Sequence, residues 1–464
     1  MNDWTIIGRS LAARLFSTAT AAALVAVAVG LLLVLLMMRD SARKAFERGT
    51  GNMHLLVAVD ASPLNALLNN VFYAGVPRAP MTEDAVERLK KTPMPAARGM
   101  PLGAALEWAI PVQIGDSYKG RPVLATEPEF FTKFQPVEGE PWRLRRGRFF
   151  EEDWEVVVGA LAAREAGLKV GDEIVLTHGS GDSRAGGGAA AAHVHDEFAY
   201  TVVGILEPSG SPHDRALFTN LRSSWMIHAF DRLEREAGGH DHHHDHDHGD
   251  FPVCMEDVKP EDRLVTALYL RVAGRPGSGG SALLPTVFDF LRRNPGLVQG
   301  QGGDPRATAT SFVVAQPSQE ITRLMGIVGN IDVIIIGIAA CVLVSSAVAI
   351  MLAMYNSMDQ RRRQIAILRV LGCSRPRVFG LVVTEAVVVG LIGAASGVVV
   401  ALAGSFLVVE ALKNFTGLVI RPEMPWDLAA VVAACAVILS AVAGLAPAAL
   451  AYRVPVAKNL SPLG

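Results

Sequence analysis

Residues 333–354 read V-I-I-I-G-I-A-A-C-V-L-V-S-S-A-V-A-I-M-L-A-M, a run in which no side chain is charged. A helix needs about 20 apolar residues to cross the roughly 30 Å hydrocarbon core of a bilayer. Buried helices of this length and apolarity are rare in soluble proteins. We therefore predict a transmembrane helix here, and this prediction decides the class of fold.

Three further runs have the same character. They are Ala19–Met38, Ala386–Val409 and Leu428–Ala451, and each is uncharged throughout. The first is longer than the apolar core of a secretory signal peptide and ends in M-M-R-D rather than at a small-residue cleavage site, which favours a retained anchor. The chain is thus predicted to be a membrane protein with four transmembrane α-helices.

A long stretch with the composition of a soluble protein separates the first two apolar runs. Residues 40–320 are enough for one or two compact cores, and Pro- and Gly-rich segments divide them into short elements. Strands are predicted at Trp108–Ile114, Glu155–Val158, Glu173–Leu176, Tyr200–Leu206 and Leu264–Val272, and helices at Thr82–Lys91, Leu161–Ala166 and Leu283–Arg293. A large α+β periplasmic domain is therefore expected between helices 1 and 2.

Lysine and arginine in short loops predict which side of the membrane each loop faces. Between the second and third runs, six arginines stand within residues 361–377, whereas the next loop has only Lys413 and Arg421. The arginine-rich loop is therefore predicted to be cytoplasmic, with both termini. Arg39, Arg43, Lys44 and Arg48 after the first run point the other way, but a long domain is translocated largely regardless of its flanking charge. We expect a multi-pass protein of the bacterial inner membrane, with the lipid bilayer as one partner.

These assignments divide the chain into segments. The predicted boundaries are 1–17 for a cytoplasmic amphipathic helix, 18–39 for transmembrane helix 1, 40–320 for the periplasmic domain with a His-rich loop at 238–250, 321–356 for helix 2, 357–378 for a cytoplasmic coupling segment, 379–410 for helix 3, 411–426 for a short periplasmic loop, 427–452 for helix 4 and 453–464 for a cytoplasmic tail.

Charge and cysteine content exclude some classes of function. The formal net charge is -2 at pH 7, which gives no indication of nucleic-acid binding. Cys254 is the only cysteine in residues 40–320, so this domain cannot form an internal disulfide. No cysteine spacing typical of zinc or redox sites occurs.

Two stretches carry a resemblance to a known family. Residues 355–372 read Y-N-S-M-D-Q-R-R-R-Q-I-A-I-L-R-V-L-G and lead to Thr384-Glu385-Ala386, while residues 156–176 read V-V-V-G-A-L-A-A-R-E-A-G-L-K-V-G-D-E-I-V-L and precede Y-T-V-V-G-I at 200–205. With these stretches, almost the whole chain resembles the MacB/FtsX superfamily of ABC transporter permeases, which includes the lipoprotein-releasing permeases. Gln364 departs from the glutamate that is usual in the family.

The resemblance implies a mechanism and a set of partners. Members of the superfamily dimerise and use ATP-driven closure to move their periplasmic domains, a mechanism called mechanotransmission. It implies a non-catalytic permease, a homodimer and a partner among periplasmic proteins. Because no G-x-x-x-x-G-K-[ST] phosphate-binding loop occurs, we expect the cytosolic ABC ATPase to be a separate polypeptide. The alternative is an FtsX-like transmembrane regulator of a periplasmic cell-wall hydrolase.

The arginine-rich stretch resembles the element that receives the ATPase stroke. It is predicted to be a helix with apolar contacts among its cations, ended by Gly372. The candidate coupling residues are Arg361, Arg362, Arg363, Ile365, Leu368, Arg369 and Gly372. From the residues alone, a positively charged anchor on anionic lipid is favoured, and only the resemblance favours the coupling role. Glu385 resembles the family's acid at the membrane edge, for which pairing with a loop arginine is favoured over proton transfer.

Small residues recur at four-residue spacing in the third run, at Gly393, Gly397, Ala401 and Ser405. Such a stripe allows two helix backbones to approach closely. Packing within the chain is favoured over packing across a dimer.

Ten of the twelve histidines lie between residues 193 and 248. Imidazoles with neighbouring carboxylates are good ligands for zinc, copper or nickel. The candidate metal ligands are His193, His195, His213, His240, His242, His243, His244, His246 and His248. No firmly bound cofactor is predicted; the hypothesis is zinc or another transition metal at the His-rich segment, linked to metal homeostasis. A solvated polar insertion is the alternative, and the absence of H-E-x-x-H disfavours a metallohydrolase.

Overall fold

The computed structural model describes residues 3–178, 193–236, 253–274, 281–297, 312–356, 358–416 and 424–453. They form two compact units. The helical unit comprises Met1–Arg43 and Gly326–Gly464, and the globular domain comprises Lys44–Met325.

The elements are numbered in chain order over the described residues. The α-helices are α1 Asp3–Ala12, α2 Leu15–Thr50, α3 Pro63–Asn70, α4 Glu83–Lys91, α5 Glu129–Lys133, α6 Ala160–Ala166, α7 Leu221–Glu236, α8 Leu284–Arg293, α9 Pro317–Asn356, α10 Met358–Val370, α11 Arg375–Thr416 and α12 Trp426–Tyr452. The strands are β1 Leu55–Ala58, β2 Met81–Thr82, β3 Pro93–Met94, β4 Met100–Pro101, β5 Leu106–Tyr118, β6 Arg121–Thr126, β7 Leu144–Gly147, β8 Glu155–Val158, β9 Glu173–His178, β10 His193–Leu206, β11 Leu217–Asn220, β12 Leu264–Val265, β13 Ala267–Val272 and β14 Val313–Ala315.

Four helices of the described residues are long and apolar enough to cross a membrane. The candidate spans are Leu15–Ser41, Ile336–Asn356, Arg375–Val409 and Trp426–Tyr452. With the mixed domain between the first and second spans, this confirms the predicted fold class. Helix α11 begins at Arg375, before the predicted residue 379, because no break separates the end of the arginine-rich loop from the apolar run. The assignment of segments to sides of the membrane stays a prediction.

The small-residue stripe of α11 packs against α2 of the same chain. A Cβ atom built on Gly397 would lie 2.7 Å from Cβ of Val29, and one built on Gly393 would lie 2.6 Å from Cβ of Val25. Real Cβ atoms do not come this close, so the two backbones approach to a distance that only glycine allows.

In its described residues, the globular domain is built on a ten-stranded mixed sheet. Its strand order is β14-β1-β13-β5-β6-β11-β8-β10-β7, with β9 paired to β10 and to β5. Side chains alternate between the two faces, as expected for pleated strands: in β1, Leu55 and Val57 join one buried cluster, while Leu56 and Ala58 join the other. The sheet therefore separates two hydrophobic cores.

Candidate functional site

Helix α10, the centre of the predicted coupling segment, has a defined C-terminus. The φ angle of Gly372 is +96°. Its N–H donates to the carbonyl of Arg369 at 3.2 Å, and the N–H of Cys373 donates to the carbonyl of Leu368 at 3.0 Å. These two bonds form a Schellman motif, which needs a left-handed residue and so favours glycine. Gly372 thus ends the helix.

The apolar residues of α10 divide between the core and the surface. Ile365 is 5 % exposed and belongs to the core of the helical unit, so it does not offer the contact to a partner that was predicted for it. Leu368 is half-buried. Ile367, Val370 and Leu371, by contrast, are 45 %, 63 % and 78 % exposed. Their spacing places them on one side of the helix, and we call this set the α10 apolar face.

Arginines flank the α10 apolar face along the chain. Arg361, Arg362, Arg363 and Arg369 all belong to α10; Arg362 is exposed and Arg369 is half-buried. Just beyond Gly372, the exposed Arg375 guanidinium lies 5.8 Å from the ring centre of Tyr452. The segment therefore combines an exposed apolar patch with positive charge.

Two polar contacts tie the N-terminal helix α1 to α11. The Arg377 guanidinium pairs with the Asp3 carboxylate at 2.7 Å. The Ser10 hydroxyl donates to Oε1 of Glu385 at 3.4 Å. Glu385 is buried and lines a cavity of about 30 Å³ together with Arg14. Glu385 thus contacts α1 through Ser10, and its pairing with a loop arginine stays a prediction.

His213, one of the predicted metal ligands, is completely buried in the globular domain. Its Nε2 lies 3.2 Å from the carbonyl oxygen of Gly49, and its Nδ1 lies 2.7 Å from the hydroxyl of Tyr73. A carbonyl only accepts, so Nε2 carries the proton and donates it to Gly49, while Nδ1 accepts from Tyr73. Because both nitrogens are engaged, no lone pair is left for a metal. Within the described residues, His213 is thus engaged by protein groups and joins no cluster of metal ligands.

An aromatic enclosure sets the charge state of His213. Besides Tyr73, four rings have centroids 5.6 to 6.2 Å from the imidazole, those of Phe130, Phe134, Trp142 and Phe218. Burial lowers the pKa of His213 to about 4, against a smaller raising effect of the hydrogen bond to Gly49. The imidazole is therefore neutral at pH 7.

The other predicted ligands are less fully described. His193 and His195 lie in β10. The six histidines between His240 and His248 lie outside the described residues. Within the described ranges, no group of three or more His, Cys, Asp or Glu side chains is arranged to hold a metal ion.

The contact with His213 belongs to a joint at the C-terminal end of α2, which the sequence reasoning missed. We define the α2 joint as Arg48, Gly49, Gly51 and Asn52. The Arg48 guanidinium donates to the carbonyl of Ser209 at 3.3 Å. The Asn52 side chain donates to the carbonyl of Lys133 and accepts from the N–H of Gln135, both at 2.9 Å.

The glycines of the α2 joint permit its close packing. A Cβ on Gly49 would lie 2.9 Å from atoms of both Phe72 and Pro212. Gly51 has a φ of +51°, and a Cβ there would lie 1.8 Å from the carbonyl oxygen of Gln135. The signal in the sequence was R-G-T-G-N at residues 48–52, two glycines where a long helix ends.

Comparisons with known proteins cover most of the chain. Residues 18–242 match the family model described as MacB-like periplasmic core domain, and residues 336–456 match the one described as FtsX-like permease C-terminal. The chain is also similar to an uncharacterized ABC transporter permease of Methanocaldococcus jannaschii, with 30% identity over 140 residues. That match covers 30% of this chain and 34% of the relative, so it spans about a third of the relative's length.

Proposed function

Because the chain belongs to the MacB/FtsX-type ABC transporter permeases, we propose that it is the membrane subunit through which a separate cytosolic ATPase moves the globular domain. The observation that carries this proposal is the α10 apolar face. Ile367, Val370 and Leu371 stand exposed on a short helix whose end is fixed by Gly372. An exposed apolar patch with a polar rim is typical of a protein contact.

The position of α10 in the chain supports its role as the docking element. It lies between the candidate spans Ile336–Asn356 and Arg375–Val409, within the stretch richest in arginine. By the distribution of positive charge, this stretch and both termini face the cytoplasm, and the globular domain faces the other side of the bacterial inner membrane. Arg48 is one of the cations whose position in the sequence points to the opposite orientation. Its guanidinium donates a hydrogen bond to the carbonyl of Ser209, so it has a structural role.

The α2 joint is the proposed point where motion enters the globular domain. Helix α2 leads along the chain from the first span to this joint. Hydrogen bonds from Arg48 and Asn52, and the contact of Gly49 with His213, fasten its end to loops of the domain. A helix end held this firmly transmits displacement rather than absorbing it, as mechanotransmission requires. A homodimer of the permease completes the proposed assembly.

We also propose that the protein binds a transition metal. This part of the proposal rests only on the sequence of residues 240–248. Six histidines alternate there with Asp241, Asp245 and Asp247. This composition suits zinc or another borderline transition metal. His213 has no part in it.

The central experiment measures how much of an ABC ATPase, expressed together with the full chain, is purified with it in detergent. Leu371→Glu places a charge in the α10 apolar face and is expected to lower the amount of bound ATPase by about tenfold or more. The matched control is Leu233→Glu, which alters an exposed leucine of the globular domain. If Leu371→Glu retains the ATPase as well as the control does, the docking role of α10 is refuted.

A further inference from the structure

A cleft of about 830 Å³ opens in the globular domain at one edge of the large sheet. Strand β14 is the last strand at this edge among the described residues, and it pairs only with β1. Its residues Val313 and Val314 line the cleft, together with Phe288 and Leu291 of α8 and with the first turns of α9. The volume falls within the range of clefts that hold ligands.

Three arginines of the cleft have no partner among the described residues. Arg78, Arg292 and Arg323 line the cleft and are exposed, and no ion pair or side-chain hydrogen bond is formed by any of them within the described ranges. Two acids share the cleft. Asp60 already accepts bonds, from the N–H of Ala61 at 2.7 Å and from the Asn69 amide at 2.8 Å. Three guanidinium groups against two carboxylates give the described lining of the cleft one formal positive charge in excess.

The second acid of the cleft is Glu320, and one of its carboxylate oxygens has no hydrogen-bond donor among the described residues. Oε2 of Glu320 is buried and has no hydrogen-bond partner within the described residues. A buried acceptor without a donor destabilises the fold, because it has lost its bonds to water without gaining a partner. An incoming backbone N–H would remove that cost, whereas an anion placed against this carboxylate oxygen would be repelled by it.

We propose that this cleft binds an extended acidic peptide segment of a partner protein, which adds as a further strand beside β14. The edge of β14 that pairs with no strand of the described residues supplies backbone hydrogen bonds, as in other cases of strand addition. Acidic side chains of the peptide meet Arg78, Arg292 and Arg323, and its apolar side chains meet Phe288. The proposal rests on the proposed function, because it names the class of partner protein that the globular domain would contact. The binding site, however, can be measured without any ATPase.

The opposite edge of the sheet provides the contrast. Strand β7 ends the sheet there and also exposes arginines, Arg145 and Arg146. Neither residue lines the cleft beside β14, and charges on a bare edge are a common protection against unwanted strand pairing. Both edges of the sheet therefore carry exposed arginines, and the cleft distinguishes the β14 edge from the β7 edge.

The test is fluorescence anisotropy with the purified full chain in lipid nanodiscs, free of ATPase. The probe is a labelled peptide, acetyl-(Val-Glu)₃-amide. We expect saturable binding that Arg292→Glu and Arg323→Glu each weaken by about tenfold. The matched control, Arg146→Glu, changes the same charge at the β7 edge and is expected to leave binding unchanged.

Two further probes separate strand addition from charge attraction. The same peptide with alternate backbone nitrogens methylated keeps its charge but loses donors, so its binding is expected to fall by about tenfold. Vesicles containing phosphatidylglycerol are expected not to displace the peptide. The proposal is overturned if the methylated peptide binds equally well, if Arg146→Glu weakens binding as much as Arg292→Glu, or if anionic vesicles compete. Failure of ATPase docking at α10 would leave these results unaffected.

Discussion

His213 provides a prediction whose size follows from the structure. A base whose folded pKa lies below its unfolded value is neutral in the folded state and takes up a proton on unfolding. The unfolded value is 6.5 and the folded pKa is about 4. The stabilising effect is therefore complete above pH 6.5 and is lost as the pH falls through that value toward 4.

The magnitude can be worked out from these two values. By pH 4.5 the imidazole should reduce the free energy of unfolding by about 2.5 kcal/mol relative to pH 7, and by about 3 kcal/mol at still lower pH. Other groups also titrate in this range. A comparison with His213→Gln isolates the effect, because glutamine retains an amide that can bond Gly49 or Tyr73 but takes up no proton.

The assay is urea unfolding of the full chain in detergent, followed by tryptophan fluorescence. The indole of Trp142 lies 5.8 Å from the imidazole of His213 and reports on this site. Trp4 and Trp426 belong to the helical unit and are replaced by phenylalanine in both proteins. Between pH 7 and pH 4.5, we expect the free energy of unfolding of the wild-type domain to fall by about 2.5 kcal/mol more than that of His213→Gln.

A second histidine provides the control. Burial, with the nearby Arg271, lowers the pKa of His54 as well, but His54 is only partly buried. His54→Gln should therefore change the pH dependence by less than His213→Gln. If wild type and His213→Gln lose stability in parallel as the pH falls, the imidazole is not held neutral by its aromatic enclosure and the reasoning is refuted.

Three other predictions concern the spans, the orientation and the His-rich segment. In thermal unfolding of the detergent-solubilised chain, Gly397→Ala should be destabilising by about 1–3 kcal/mol, because its Cβ would meet Val29. Gly337→Ala, with open space around it, should be neutral in that assay. Reporter fusions at residues 150 and 367 should report opposite sides of the membrane; the same side for both would contradict the proposed orientation. Deletion of residues 238–250 should abolish saturable zinc uptake measured by calorimetry, whereas His213→Gln should retain it; equal uptake by the deletion variant and the wild type would contradict the metal hypothesis.

The sequence by itself was sufficient for features that depend on neighbouring residues along the chain. Uncharged runs long enough to cross a bilayer predicted the four spans and the domain between the first two. A glycine after a helical pattern predicted the end of α10, and the Schellman bonds at Gly372 agree with it. Each of these features depends on local composition or on one residue's own conformational range, so no distant contact was needed.

Only the tertiary structure decided which side chains are available for chemistry or contact. Ile365 and Ile367 are equally apolar, but the packing of α10 buries the first and exposes the second. Histidine is a common metal ligand. The Nε2 of His213, however, is bonded to the carbonyl of Gly49, which is 164 residues away in the chain. Burial and hydrogen bonding of a side chain depend on atoms brought in from distant parts of the sequence, and no local pattern records them.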